Sequence, residues 1–198
     1  PSVDNDRSIR VAACRTGSAS GIAIKERIVC MVPVYRNVFD FNPPPWRSHR
    51  LIRGGHAQTL ATSLVRGSHP LAATKIPVNV SEGDQIVLHR DQPGFWRPGD
   101  GSILLIHGIS GCHAAPYMIR LARRFLSAGI RTYRMDLRSV GDAASRCQNV
   151  SHAGRSDDVL AGLAAIAREP GSGPLAAVGV SLGGAQLLRA VGMIGGDR

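Results

Sequence analysis

Leu175-Ala-Ala-Val-Gly179-Val-Ser181-Leu-Gly183-Gly184 is the stretch whose reading decides the architecture. An apolar run enters a Gly-x-Ser-x-Gly pentapeptide, and residues 182–194 behind it read as a helix. A serine held between a buried strand and a helix sits on a strained turn at the top of a sheet, the layout of a nucleophile elbow. Gly179 and Gly183 leave room for a turn that crowds the backbone around Ser181, and Gly184 lets the helix start close by. A serine hydroxyl is a weak nucleophile alone and calls for a base and an orienting acid.

Upstream, the pattern alternates. Ile103-Leu-Leu-Ile106 is short and wholly apolar, as a central strand buried on both faces requires. Residues 116–128 place Met118, Leu121, Ala122, Phe125 and Leu126 at helical spacing, and Gly129 is a natural C-terminal stop. Ile130 to Leu137 is the next strand. Ser156 is the expected cap of a helix over 157–168, with Val159, Leu160, Leu163 and Ile166 as its buried stripe and Asp157 and Asp158 at its positive end. Before these lies an expected hairpin: Ile76-Pro-Val-Asn-Val80 as an edge strand that tolerates proline, turn residues 81–84, and Gln85 to His89 returning. Strand and helix alternation of this kind predicts an α/β fold with parallel strands and right-handed crossovers.

Composition bounds the rest. The chain has 198 residues, 43% of them hydrophobic, enough for one domain with a proper core. No segment reaches the roughly 18 apolar residues a membrane span needs, and Ile22 to Tyr35 is interrupted by Lys25, Glu26, Arg27 and Pro33. The net charge of +10 comes mainly from arginines. They are scattered, and Arg120, Arg123 and Arg124 share one face that reads as solvated, so no nucleic-acid partner is expected. The four cysteines form no C-x-x-C pair and have no His partners at metal spacing, so reduced thiols and a cytoplasmic location are expected, and serine-dependent acyl transfer needs no metal or cofactor. Cys112 as an alternative nucleophile falls in a loop. Met31 is read as the natural start, which makes 1–30 a non-core extension, 31–70 an N-terminal arm and 71–198 the core.

A second feature converges on the elbow. His107-Gly108-Ile109-Ser110-Gly111 directly follows the central strand. Sites of this type build an oxyanion hole from the N–H after the nucleophile and an N–H of that loop, which selects Leu182 and Ile109. One well-aimed donor is worth about 3–4 kcal/mol.

Four segments carry a family resemblance. Arg53-Gly54-Gly55-His56-Ala57-Gln58-Thr59, His107-Gly108-Ile109-Ser110-Gly111, Ser151-His152-Ala153-Gly154 with Asp157-Asp158, and Gly179-Val180-Ser181-Leu182-Gly183-Gly184 resemble the G-G-H-x-Q-T, H-G-x-x-G, H-[S/A]-G-x-x-x-D and G-x-S-L-G-G segments of the YheT-like branch of the α/β-hydrolases. That branch includes the plant embryogenesis-associated protein and the animal ABHD1/ABHD3 group. The resemblance spans about residues 39–195. It implies carboxylic ester hydrolases or acyltransferases acting on short- or medium-chain acyl esters and, in some members, phospholipids, with Ser181 as nucleophile. It departs at Asp136-Leu137-Arg138-Ser139, where the branch has glycine in place of Ser139, so a looser turn is expected.

In this fold the triad runs Ser, then Asp or Glu, then His. Only Asp197 follows the elbow helix. His107 is read as shaping the oxyanion loop and His152 as holding its turn, while a His152–Asp157 pair is disfavoured and His56 receives no role. The expectation is a truncated α/β-hydrolase fold, a mostly parallel sheet with an N-terminal antiparallel hairpin, lacking the last strands. The acid and histidine then lie beyond Arg198, the 175–180 strand becomes an open edge, and the chain alone is inactive and poorly soluble. The competing reading is a non-catalytic hydrolase-like binding module. Nucleotide binding is disfavoured because neither G-x-G-x-x-G nor a P-loop is present.

Overall fold

The computed structural model describes residues 71–195 throughout and residues 45, 47, 51–52 and 54–64 before them. The described positions up to Leu64 and residues 71–195 belong to two separate units. In the first, a helix α1 spans Gly55–Leu64, which the sequence reading does not assign. Gly54 enters it at φ +89°, and the Gln58 side chain donates to the Ile52 carbonyl at 3.2 Å. Ala57 and Ala61 supply helix propensity that the nearby prolines obscure.

The second unit is an α/β layer structure. Its elements are β1 (Thr74–Asn79), β2 (Gln85–Asp91), β3 (Ser102–Ile106), α2 (Pro116–Ser127), β4 (Arg131–Asp136), α3 (Ser156–Arg168), β5 (Leu175–Gly179) and α4 (Leu182–Gly195). The strands form one mixed sheet in the order β1-β2-β4-β3-β5. The β1/β2 and β2/β4 pairs are antiparallel, and β3 runs parallel to both β4 and β5. Pro77 lies in β1, an edge strand where a missing N–H costs no ladder bond. Among the described residues β5 pairs only with β3, so it is the other edge.

Crossover geometry sorts the helices. The chain moves one way from β3 to β4, then back across β3 to reach β5, so two right-handed crossovers land on opposite faces. α2 covers one face, where Met118 and Ala122 pack on Ile103 and Leu105. On the other face, Val159, Leu163 and Ile166 of α3 and Ala190 of α4 close over Ile86, Leu88, Leu104, Ile106, Tyr133 and Met135. Every residue of β3 is buried, as a strand covered on both faces must be. Burying each of its leucines is worth about 1.5–3 kcal/mol.

Ser156 is not the expected cap. It is the first residue of α3, and its buried hydroxyl points at Met193 Sδ of α4, 3.2 Å away. The turn at Ser139 is not loosened either. Ser139 adopts φ +60°, the conformation a glycine would supply, and its hydroxyl donates to the Asn149 carbonyl at 2.8 Å.

Arg120, Arg123 and Arg124 are exposed as expected, but the next three arginines are not. Arg131 lies 3.9 Å from the centre of the Trp96 ring, and Arg134 pairs with Asp91 at 2.9 Å. Fully buried Arg138 reaches both Asp158 oxygens at 2.8 and 2.6 Å and Asp84 at 2.8 Å. This guanidinium ties the hairpin turn to β4 and α3. The Gln148 amide holds the Asp84 carboxyl down to about 2, against the effect of burial and with help from Asn149 and Arg138.

Candidate active site

The crevice between the C-terminal ends of β3 and β5 is the place where the strand order reverses, the usual ligand position in an open α/β sheet. Both sequence-predicted loops emerge there. β5 ends at Gly179, Val180 and Ser181 make the turn, and α4 begins at Leu182. Ser181 has φ +51°, a left-handed conformation that an L-residue adopts at a cost of about 1–3 kcal/mol. The turn is over-determined by its neighbours. Val180 N–H donates to Ile106 O at 3.0 Å, Gly183 N–H to Val180 O at 3.0 Å, and Ala185 N–H to Ser181 O at 3.0 Å.

The flanking glycines are needed for contact. A Cβ on Gly179 would lie 2.4 Å from Gly183 O, and one on Gly183 would lie 2.6 Å from both His107 O and Ile106 Cγ2. Strand, turn and helix are thus pressed together backbone to backbone, which exposes the Ser181 side chain at the apex. Among the described residues its hydroxyl has no hydrogen-bond partner.

The H-G loop reaches the serine. A Cβ on Gly108 would stand 3.2 Å from Ser181 Cβ and from Val180 O. The Gly108 N–H donates to Tyr117 Oη at 2.9 Å, and Gly111 N–H donates to Gly108 O at 3.1 Å. Ile109 stands between these two anchors with its side chain 76% exposed. Leu182 N–H is the first amide of α4, so it has no acceptor within the helix and sits at the positive end of its dipole.

His107 serves the loop and is not a free base. It is 1% exposed, its Nδ1 meets Gly108 O at 2.7 Å, and Leu137 N–H donates to its Nε2 at 3.2 Å. Burial lowers its pKa, against the pull of the Gly108 carbonyl and Asp136, and keeps the ring neutral. His152 accepts the Gly154 N–H on Nδ1 at 3.1 Å, which holds its own turn. Asp157 accepts from Ser81 Oγ at 3.2 Å instead of from His152. Cys112 is in the long loop that joins β3 to α2, not on a tight elbow turn, and is a free thiol, as is Cys147. His56 lies on α1, in the other unit.

Two supporting residues escape sequence reading. Tyr117 holds the loop through its hydroxyl, although its position on α2 reads only as a flank of the buried stripe. Gln186, fully buried on α4, donates to Ser151 Oγ and to His152 O at 2.8 Å each. A polar residue on an otherwise apolar helix face was the only available signal for it.

The fold is similar to that of known proteins. Residues 103–196 match the model of the alpha/beta hydrolase family. An α/β serine hydrolase without a lid from Xanthomonas campestris aligns with TM-score 0.53 and 19% identity, covering 66% of this chain and 60% of that one. Est1E from Butyrivibrio proteoclasticus, with ferulic acid bound, aligns with TM-score 0.55 and 16% identity over 61% of this chain and 48% of that one. The Pyrococcus furiosus esterase Pf2001 aligns with TM-score 0.53 and 16% identity over 60% and 46%. No curated protein sequence matches. The chain therefore spans between 46% and 60% of the length of these solved structures. At such identities the likeness speaks to the backbone alone, and with the family match it establishes that the chain carries an α/β-hydrolase fold in part.

Proposed function

We propose that Ser181 is the nucleophile of a serine hydrolase acting on short- to medium-chain acyl or lipid esters through an acyl-enzyme. The observation that carries this reading is the over-determined φ +51° of Ser181, at the apex of a turn contacted by the H-G loop. A general base takes its hydroxyl proton as the oxygen attacks the ester carbonyl, whose π pair moves onto the carbonyl oxygen. The Ile109 and Leu182 N–H groups receive that oxyanion; its collapse breaks the bond to the alcohol, which leaves with the proton from the base, and a water deprotonated by the same base releases the acid and restores the hydroxyl. The four resembling segments favour the YheT-like branch, and the free thiols favour a cytoplasmic location. No described helix is long and apolar enough to cross a membrane.

No histidine bonds Ser181 among the described residues. His107 is committed to backbone groups, and His89 and His113 are committed to Asp136. We therefore place the base outside residues 71–195 and, from the Ser, acid, His chain order of this fold, both it and the acid after them. The test is p-nitrophenyl butyrate hydrolysis by the product of the whole open reading frame and by residues 1–198 alone. The whole product is expected to turn over and to lose at least about 10³-fold in Ser181→Ala, while residues 1–198 alone are inactive. Turnover by residues 1–198 that Ser181→Ala abolishes would place the base within them. A whole product that is inactive, or insensitive to Ser181→Ala, would favour the non-catalytic binding module.

A further inference from the structure

The face of the sheet under α2 is apolar over β3 and β5 but polar over β2 and β4. In that polar half, His89 of β2, His113 of the loop after β3, Asp136 at the end of β4 and Asp142 of the following 3-10 turn bring one ligand atom each within 4.8 Å of one another. We propose that these four side chains form a binding site for a zinc-like divalent transition-metal ion.

The separations within the cluster are on the scale such an ion needs. Tetrahedral Zn²⁺ with bonds of about 2.0–2.2 Å sets its ligand atoms about 3.3–3.5 Å apart. Here His89 Nε2 lies 2.9 Å from Asp136 Oδ2 and 3.5 Å from Asp142 Oδ2, and His113 Nδ1 lies 2.7 Å from Asp136 Oδ2. A modest opening of the shorter pairs accommodates the ion. Two imidazoles and two carboxylates select Zn²⁺ and its neighbours over Mg²⁺ or Ca²⁺, which take oxygen ligands, and the set neutralises a 2+ charge.

The ligands are held by a supporting shell. Asp136 is fully buried; its Oδ1 accepts the His113 N–H at 2.7 Å and its Oδ2 the Asp142 N–H at 2.9 Å. Arg134 donates to the His113 carbonyl at 2.8 Å, so that residue is fixed at both backbone ends. The His89 and His113 rings stack with centroids 3.5 Å apart and planes 10° apart, so their in-plane lone pairs run side by side, and loading the ion requires the partly exposed His113 ring to turn until both nitrogens face it. Gly141 permits the approach of the 3-10 turn, since a Cβ there would lie 2.4 Å from Asp136 Oδ2. Asp142 Oδ2 is shielded from water and has no well-formed hydrogen bond. Its partner is an ion-pair contact to Lys75 at 2.8 Å, from a side chain 64% exposed that can swing away. Entry of the ion requires each imidazole hydrogen now facing Asp136 to sit on the other ring nitrogen. A neutral ring achieves that by changing tautomer, with no net proton loss.

The test uses untagged protein stripped with a chelator and titrated with ZnCl₂ by calorimetry, with CoCl₂ as the optical probe. One Zn²⁺ per chain is expected, with a dissociation constant of about 1 µM or tighter. Co²⁺ should give the intense visible bands of a tetrahedral site, and Zn²⁺ but not Mg²⁺ should raise the melting temperature. His113→Ala and Asp142→Asn, at partly exposed positions, should each weaken uptake at least about tenfold while His152→Ala does not. Uptake below about 0.1 ion per chain at 10 µM free Zn²⁺ would overturn the site. So would a weak octahedral Co²⁺ spectrum of the unsubstituted protein, or uptake unchanged in both variants that retain native circular dichroism.

Discussion

Replacing Arg138 by alanine removes the cation from the most buried ionic network of the fold. The guanidinium is 0% exposed and serves Asp158, at 0%, and Asp84, at 2%. Asp84 keeps the amides of Gln148 and Asn149, at 2.8 and 3.3 Å, after the change. Among the described residues Asp158 keeps no side-chain hydrogen bond in its place, so the cost concentrates there. Leaving one ion of a buried pair uncompensated costs about 3–5 kcal/mol. For a domain of this size about 2–4 °C of melting temperature accompanies each kcal/mol, so Arg138→Ala should melt about 6–20 °C lower. Arg155→Ala is the control: its pair with Glu82 is half exposed on the acid side, and the variant should melt close to the unsubstituted protein. The double variant Arg138→Met with Asp158→Leu should recover most of the deficit, because the carboxylate left bare by the single change is removed and Asp84 keeps its amide donors. Thermal and urea unfolding followed by circular dichroism measure all of these. A loss below about 1 kcal/mol for Arg138→Ala, or a double variant as unstable as the single losses combined, would refute the assignment of the network as a buried ionic clamp.

Gly183→Ala forces a methyl to within 2.6 Å of His107 O and should cost about 1–3 kcal/mol in urea unfolding, whereas Gly192→Ala, in open space on the same helix, should gain about 0.5–1 kcal/mol. Asp84 has a folded pKa of about 2 against an ordinary 3.8, so its contribution is complete above about pH 4 and is lost as pH falls toward 2. Urea midpoints between pH 5 and pH 2 should therefore fall less steeply in Asp84→Asn, and equal slopes would remove this cause.

Much of the fold is legible in the sequence because its signals are local. The apolar Ile103–Ile106 run, the helical stripe of α2 and the Gly-x-Ser-x-Gly turn each report a period or a steric demand that neighbouring residues impose on themselves. The elbow is the strongest case: glycines at 179, 183 and 184 state in sequence that backbone meets backbone, and the structure shows those contacts. Ser156 misled for the complementary reason. Its type suits a cap, but packing against α4 turns the hydroxyl toward Met193.

What only tertiary structure decides is which distant polar residues share a space. Nothing in the spacing of Arg138 with Asp84 and Asp158, or of His89, His113, Asp136 and Asp142, sets them apart from solvated charges. They meet because β2 pairs antiparallel with β4 while the loops after β3 and β4 fold over the same sheet end. The sequence alone determined the strand–turn–helix that raises Ser181, since that depends on residues a few positions apart. The order of strands determined the rest, because ion pairs and ligand clusters depend on proximity in space, which sheet register creates.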